Sequence, residues 1–355
     1  MTRRLFERFP RAATAIPWVE LATLPTPIDM ITLPATKDAP AIPVRVKRDD
    51  LSGDAYGGNK VRKLEFLLAA ARARGETRVI TAGAFGSHHA LATTVYARRL
   101  GFDVTTILFP QHVTPHVREV VLMCAAMGAE VRYTPRMEGV PFALWRAALE
   151  ARGRACIIPP GGSDAVGTLG YVEAGLELAA QWQNGDTARP ERIHLAAGTL
   201  GTTAGLAAGL AIAGENVTLA ATRITSRLVT NDRNLLGLVR GVLEILAPYA
   251  TASLPDAETV ARTAMLLHDQ VGDGYGRATD AGDNATRRFA AAGIVLDATY
   301  TAKSAAALLA DPGTQAGETL FLHTLSAVAP ITPTDIVSED ALPPQITARL
   351  ARTSE

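Results

Sequence analysis

The sequence predicts an α/β protein whose strands form two open, mostly parallel sheets, and three observations carry that reading. From about residue 76 onward, short runs rich in β-branched residues alternate with Ala/Leu-rich stretches of helical period. Such alternation implies parallel strands joined by crossover helices, with both sheet faces covered. A chain of 355 residues is long enough for two domains with a sizeable core. Turn-rich blocks such as Pro159-Pro160-Gly161-Gly162 then divide the strands into groups. Two open sheets suit that division better than one closed barrel, although a count of eight strands by itself also allows a barrel.

Taken in order, the predicted strands are Arg78–Thr81, Val104–Phe109, Glu130–Thr134, Ala155–Pro159, Arg192–Ala196, Val217–Ala221, Ile294–Ala298 and Thr319–His323. Between them lie helices with apolar residues on one face, among them Val61–Arg74, His88–Leu100, Thr168–Gln183 and Thr202–Ala213. The segment Pro248–Gly282 has the least clear strand signal. It reads as a helix followed by an ordered loop, because Gly272-Asp273-Gly274-Tyr275-Gly276 sets an aromatic among glycines.

Composition narrows the function. The 35 Lys+Arg balance 35 Asp+Glu, so no charge excess advertises a nucleic acid or other polyanion, and the expected partner is a small molecule. The first twenty residues lack an apolar core of signal-peptide length, and no stretch reaches ~18 uncharged apolar residues. The expectation is a soluble, cytoplasmic protein without a membrane partner. Cys124 and Cys156 make no disulfide framework or metal spacing and are expected as buried thiols. Only five of the 35 basic residues are Lys, at positions 37, 47, 60, 63 and 303, and only Lys can form a Schiff base.

Four segments carry chemistry. In Gly57-Gly58-Asn59-Lys60-Val61-Arg62-Lys63-Leu64-Glu65 the glycines permit a tight turn, Asn59 is placed to cap, and Lys60 opens an amphipathic helix. The helix end and the neighbouring Arg62 and Lys63 should lower the pKa of Lys60, although the run alone also reads as a solvated basic first turn. In Ala197-Gly198-Thr199-Leu200-Gly201-Thr202-Thr203 a strand passes into a helix through small and hydroxylated residues, which suits a lone phosphate monoester; a plain strand-helix turn is the alternative. Thr81-Ala82-Gly83-Ala84-Phe85-Gly86-Ser87-His88-His89 sets Ser87 and two His at the carboxyl edge of a strand, where open α/β sheets bind ligands. Adjacent His residues diverge at a helix start and no carboxylate or Cys accompanies them, so no metal is expected. Thr299-Tyr300-Thr301-Ala302-Lys303-Ser304 brings the hydroxyls of Tyr300 and Thr301 to another strand end, while Lys303 reads as opening an exposed helix.

Together these segments resemble the 1-aminocyclopropane-1-carboxylate deaminase and D-cysteine desulfhydrase family of pyridoxal-phosphate enzymes. The resemblance also includes Leu24-Pro25-Thr26-Pro27-Ile28, Lys47-Arg48-Asp49-Asp50-Leu51, Pro160-Gly161-Gly162-Ser163, Gly167–Glu173, Gly274-Tyr275-Gly276 and Leu322-His323-Thr324. It implies a tryptophan-synthase-β-like fold, the type II fold of pyridoxal-phosphate enzymes, with a large cofactor-binding domain over residues 1–62 and 166–355 and a small α/β domain over 63–165. It further implies that Lys60 holds pyridoxal 5'-phosphate as a Schiff base, with Asn59 and His88 beside the cofactor. Gly198, Thr199, Leu200, Gly201 and Thr202 would bind the phosphate, and Thr301 would meet the pyridine nitrogen. Ser87, Tyr275 and Tyr300 would face a small amino-acid substrate, and the assembly would be a homodimer.

Within that family a deaminase has Glu where Thr301 stands, whereas the desulfhydrases resemble this chain in having Thr. The implied reaction is therefore β-elimination to a 2-oxo acid and ammonia, with ring-opening deamination or a non-catalytic binding protein as alternatives. Three positions depart from the family pattern: His88 replaces a usual Asn, Leu200 stands in a loop that is usually smaller there, and Leu325-Ser326 replaces a typical Gly-Gly pair.

Overall fold

The computed structural model describes residues 3–351, apart from residues 38, 331–337 and 340–341. After a short helix α1 (Arg4–Arg8), strands β1 (Ile28–Leu33) and β2 (Ile42–Arg48) pair antiparallel, with Ile28 opposite Lys47. Helix α2 (Asn59–Ala73) then leads to β3 (Arg78–Ala84), α3 (His88–Arg99), β4 (Asp103–Phe109), α4 (Pro115–Ala126), β5 (Ala129–Tyr133), α5 (Val140–Glu150) and β6 (Ala155–Ile158). The chain returns through α6 (Ala165–Gln183), β7 (Arg192–Ala197), α7 (Gly201–Ile212), β8 (Thr218–Arg223), α8 (Asp232–Leu246), α9 (Ala257–Arg262) and β9 (Ala264–Leu267). It continues with α10 (Asp280–Ala291), α11 (Thr301–Ala310), α12 (Pro312–Gln315), β10 (Thr319–His323) and α13 (Pro344–Ala351).

The strands form a six-stranded sheet in the order β1-β2-β10-β7-β8-β9 and a four-stranded sheet in the order β5-β4-β3-β6. Among the described residues every pairing between these strands is parallel except that of β1 with β2. The α/β class with two open sheets is thus the observed one, and the barrel is not. Among the described residues no helix is long and apolar enough to cross a membrane.

One expected strand is absent and three strands were not expected. Ile294–Ala298 is no strand: Ile294 and Leu296 are buried and Val295 is exposed, so the alternation is real, but among the described residues the segment pairs with no strand. Conversely β1, β2 and β9 are strands that the pattern hides. β2 reads Ile-Pro-Val-Arg-Val-Lys-Arg, and its Lys47 is fully buried, which no hydropathy pattern anticipates. β1 has a mixed burial pattern, and β9 is a four-residue strand at the opposite edge, inside the segment read as helix and loop.

Helix α2 is held by two devices that matter for function. Its cap position is Gly58, not Asn59, which is instead the first helical residue. Gly58 has φ of +88°, and a Cβ there would lie 2.4 Å from the Thr324 carbonyl oxygen, so glycine is required on both counts. Gly57 N–H donates to Ser326 Oγ at 2.7 Å, so one of the departing residues pins this turn.

The second device is a buried ion network. Arg62, fully buried, pairs with Asp49 at 2.7 Å and Glu177 at 2.9 Å, while Lys47 donates to Glu177 and Gln181. Tyr171 donates its hydroxyl to Asp49 at 2.6 Å. Two cations face two carboxylates, so the cluster is neutral, as burial demands. It ties α2 to β2 and α6, and Gly170 of α6 allows the close crossing: a Cβ there would sit 2.2 Å from the Arg62 carbonyl oxygen.

Cys124 and Cys156 are free and buried, as expected. Burial pushes their thiols up to about 12 and about 11, out of the nucleophilic range.

Candidate active site

The carboxyl ends of both sheets face a cavity of about 1320 Å³. Asn59, Lys60, Ser87, His88, Gly198, Thr199, Leu200, Thr202, Tyr275 and Tyr300 all line it, although they are spread over most of the sequence. Gly201 and Thr301 stand behind the wall rather than on it.

Lys60 occupies the second position of α2, and its Nζ donates to Asn59 Oδ1 at 2.6 Å. Burial lowers its pKa to about 8, opposed by the carboxylate of Asp297. The direction matches expectation but the cause does not: Arg62 points into the ion network, and desolvation does what the neighbouring cations were expected to do.

The loop from β7 into α7 forms a cradle. Leu200 adopts a left-handed conformation with φ of 66°, so the departure at this position is a strained residue that turns the chain into the helix. The first N–H groups of α7 have no intrahelical acceptors and concentrate positive charge there. Around them, Thr199 Oγ1 lies 2.7 Å from Ser163 Oγ, and Lys63 Nζ donates to Ser163 Oγ at 3.1 Å and to the Gly161 carbonyl at 3.0 Å. Asn59 Nδ2 donates to Thr202 Oγ1 at 2.9 Å. Among the described residues Thr203 Oγ1 is buried without a hydrogen-bond partner. Burial, then the charge of Lys60, hold Lys63 well below its ordinary pKa. The Lys63 amine, several hydroxyls and a helix N-terminus with an orphaned Thr203 suit a phosphate dianion, so these residues fit pyridoxal phosphate.

On the opposite side, Ser87 caps α3 by accepting from Ala90 N–H at 3.2 Å. Both ring nitrogens of His88 are already engaged: Nδ1 is 2.6 Å from the Tyr56 hydroxyl and Nε2 is 3.2 Å from His116 Nε2. Burial pushes His88 down to about 4, so it is neutral at neutral pH. The Tyr275 and Tyr300 hydroxyls are 2.5 Å apart with their rings edge to face. Lys303 does not open an exposed helix; it is fully buried and donates to the carbonyls of Val271 and Gly274, fixing the loop that carries Tyr275.

Asp297 was missed by sequence reasoning. Its carboxylate lines the cavity and accepts from the N–H groups of Thr299, Tyr300 and Thr301 and from Thr301 Oγ1 at 2.7 Å. The available signal was an Asp four residues before a helix-opening Thr. Lys63, Ser163 and Tyr56 were present in the quoted runs or beside them but had no assigned contact with the cavity. Among the described residues no group of three or more His, Cys, Asp or Glu is placed to hold a metal ion.

A lysine of lowered pKa beside a phosphate cradle, between two open α/β sheets, defines the class of pyridoxal-phosphate lysine enzymes. Residues 19–324 match the family of pyridoxal-phosphate dependent enzymes, and the chain belongs to that family. It is 37% identical over 320 residues to nocardicin C-9' epimerase of Nocardia uniformis subsp. tsuyamanensis, covering 87% of this chain and 93% of that one. It is 33% identical to D-cysteine desulfhydrase of Salmonella paratyphi A, covering 89% and 96%. A solved 1-aminocyclopropane-1-carboxylate (ACC) deaminase homologue superposes with a TM-score of 0.74 at 30% identity, covering 92% of this chain and 95% of that one. The processed form of threonine deaminase isoform 2 from Solanum lycopersicum shares the fold, with a TM-score of 0.58 at 14% identity over 98% of this chain and 88% of the other.

Proposed function

We propose that this chain removes the α-proton of an amino acid and expels a β-substituent, releasing a 2-oxo acid and ammonia. The observation that carries this reading is Lys60: a lysine of lowered pKa, oriented by Asn59 Oδ1 and set in the wall of a large cavity. Pyridoxal phosphate, when bound, supplies the electron sink that acidifies the Cα–H bond. The cradle of Thr199, Ser163, Lys63 and Thr203 would hold its phosphate. Lys60 Nζ then takes the α-proton, a role typically worth ~10²–10⁴-fold. The hydroxyls of Ser87, Tyr275 and Tyr300 supply polar contacts for the substrate. Position 301 is a Thr whose hydroxyl donates to Asp297, so no carboxylate stands at that position to favour ring opening over elimination.

One observation favours a second reading, epimerisation at Cα. Tyr56 and His88 place a further proton-transfer group on the cavity wall in addition to Lys60. The 37% identical epimerase supports the same reading.

The purified protein tests both. Borohydride reduction followed by peptide mapping should label Lys60; label on Lys63 or Lys303 would overturn the assignment. A panel of D- and L-cysteine, β-chloroalanine and O-acetylserine should yield pyruvate and ammonia. Robust 2-oxobutanoate from 1-aminocyclopropane-1-carboxylate, with nothing from D-cysteine, would select the deaminase. Inversion with deuterium incorporation and no 2-oxo acid would select the epimerase. The reading includes a homodimer in the cytoplasm and the division into residues 1–62 with 166–355 and 63–165, and sedimentation tests the dimer.

A further inference from the structure

Three side chains form an unbroken line from the cavity to the surface. Tyr56 is buried just before the Gly57-Gly58 turn, and its hydroxyl meets His88 Nδ1 at 2.6 Å. His88 opens α3, and its Nε2 meets Nε2 of His116, in the first turn of α4, at 3.2 Å. His116 is 53% exposed, and its Nδ1 lies 4.0 Å from Glu119 Oε2. Tyr56 and His88 line the cavity and His116 does not. The inner end therefore faces the reacting centre and the outer end faces water.

Hydrogen-bond chemistry gives this line two states. If Tyr56 donates to Nδ1, His88 carries its proton on Nε2 and donates to His116, which then carries its own proton on Nδ1, toward Glu119. If every bond is reversed, His116 Nε2–H donates to His88 Nε2, and His88 Nδ1–H donates to the Tyr56 oxygen. Both assignments satisfy both contacts; passing from the first to the second moves one proton outward along each bond while Tyr56 takes up a proton at the cavity end and His116 Nδ1 releases one at the outer end. A line with two polarities that ends in solvent is what proton transfer through a wall requires.

We propose that Tyr56, His88 and His116 form a proton relay between the cavity and solvent, with His116 as its outer terminus. Inward, a hydronium ion of the solvent gives a proton to His116 Nδ1 and becomes water, His116 Nε2 gives its proton to His88 Nε2, and His88 Nδ1 gives its proton to the Tyr56 oxygen. Tyr56 at the same time releases its original O–H proton into the cavity; outward transfer is the reverse. One proton is delivered and no side chain is left charged. The groups acting electrostatically on His88 are Lys60 of α2, His116 of α4 and Asp297, and burial keeps the ring neutral so that it can both accept and donate. An outward transfer and the inward transfer that follows it return the line to its starting polarity.

The inference rests on the α-proton chemistry proposed above and says how that proton exchanges with water. Its test has two arms. In the first, ring ¹⁵N NMR of histidine-labelled holoenzyme at neutral pH should show His88 as a neutral, singly protonated imidazole, and His116→Ala should shift its tautomer balance. A doubly protonated His88, or unchanged His88 resonances in the variant, would overturn the relay. In the second arm, the α-hydrogens of D- and L-alanine, which have no leaving group, are followed by NMR as the holoenzyme exchanges them in D₂O. His116→Ala and Tyr56→Phe should each slow exchange about tenfold with cofactor content unchanged. Added imidazole should restore exchange to His116→Ala and not to Tyr56→Phe, an outcome that a purely structural role for His116 does not produce. Equal exchange rates in wild type and His116→Ala would sink the proposal. Absence of any exchange in the wild type would count against the proposed function, while the first arm still decides whether the relay exists.

Discussion

Lys60 and Arg62 stand two residues apart on α2, and their surroundings differ in kind. Arg62 is enclosed by two carboxylates that take up its guanidinium, and these raise its pKa against the desolvation that would lower it. Lys60 has one neutral hydrogen-bond acceptor, Asn59 Oδ1, and burial wins, lowering it to about 8. A saturated ion pair is fixed in charge and position and serves the scaffold; a cation denied an adjacent anion keeps a proton that it can give up. The helix thus carries its anchor and its reactive group within one turn.

The largest way to break this comparison is to remove the reactive member. Lys60→Ala should cut 2-oxo acid release by ~10²–10⁴-fold or more without lowering the urea midpoint, because no ion pair is lost and the cost of burying the amine is relieved. Retained turnover would transfer the role to another residue. Next in size, Glu177→Leu leaves Arg62 and Lys47 to share one carboxylate, and urea unfolding should register a loss of ~3–5 kcal/mol. A change below ~1 kcal/mol would put the network in the class of exposed pairs.

Lys303 offers an intermediate case, a buried cation satisfied only by carbonyls. Lys303→Met should free the Val271–Gly274 loop and misplace Tyr275, raising KM about tenfold, ~1.4 kcal/mol, with an unchanged circular dichroism spectrum. An unchanged KM would mean that the loop is held by other contacts.

The smallest effect sharpens the comparison through pH. In cofactor-free protein the pKa of Lys60 is lowered from 10.5 to about 8, so between those values the unfolded chain binds more protons than the folded one. Stability attributable to this group must then rise with pH across that window: the penalty is complete below about pH 8 and gone above 10.5. The difference in Tm between wild type and Lys60→Met should follow that rise. A flat difference would place Lys60 in contact with water rather than buried.

Much of the scaffold could be read in advance. Seven of the eight expected strands are present, and Arg78–Thr81 and Arg192–Ala196 fall inside β3 and β7, because β-branched runs bounded by turns leave a short parallel strand few alternatives. Ile294–Ala298 has the same alternation and is not a strand, since the slot beside β7 belongs to β10. In the other direction, the charges of β2 conceal it: Lys47 is buried because Glu177 and Gln181, more than a hundred residues later, and the Thr26 carbonyl accept its hydrogen bonds.

What the sequence by itself determined is whatever depends on neighbours along the chain: the Gly57-Gly58 turn, the start of α2 at the reactive lysine, the strand-to-helix cradle at Thr199–Thr202 and the α/β class. Only tertiary structure decided which lysines are buried without a carboxylate beside them, which groups the Asp297 carboxylate accepts from, and that His88 meets Tyr56 and His116 rather than standing free. Those outcomes depend on burial and on contacts between residues distant in sequence. Desolvation and pairing act through space, and a linear pattern records neither.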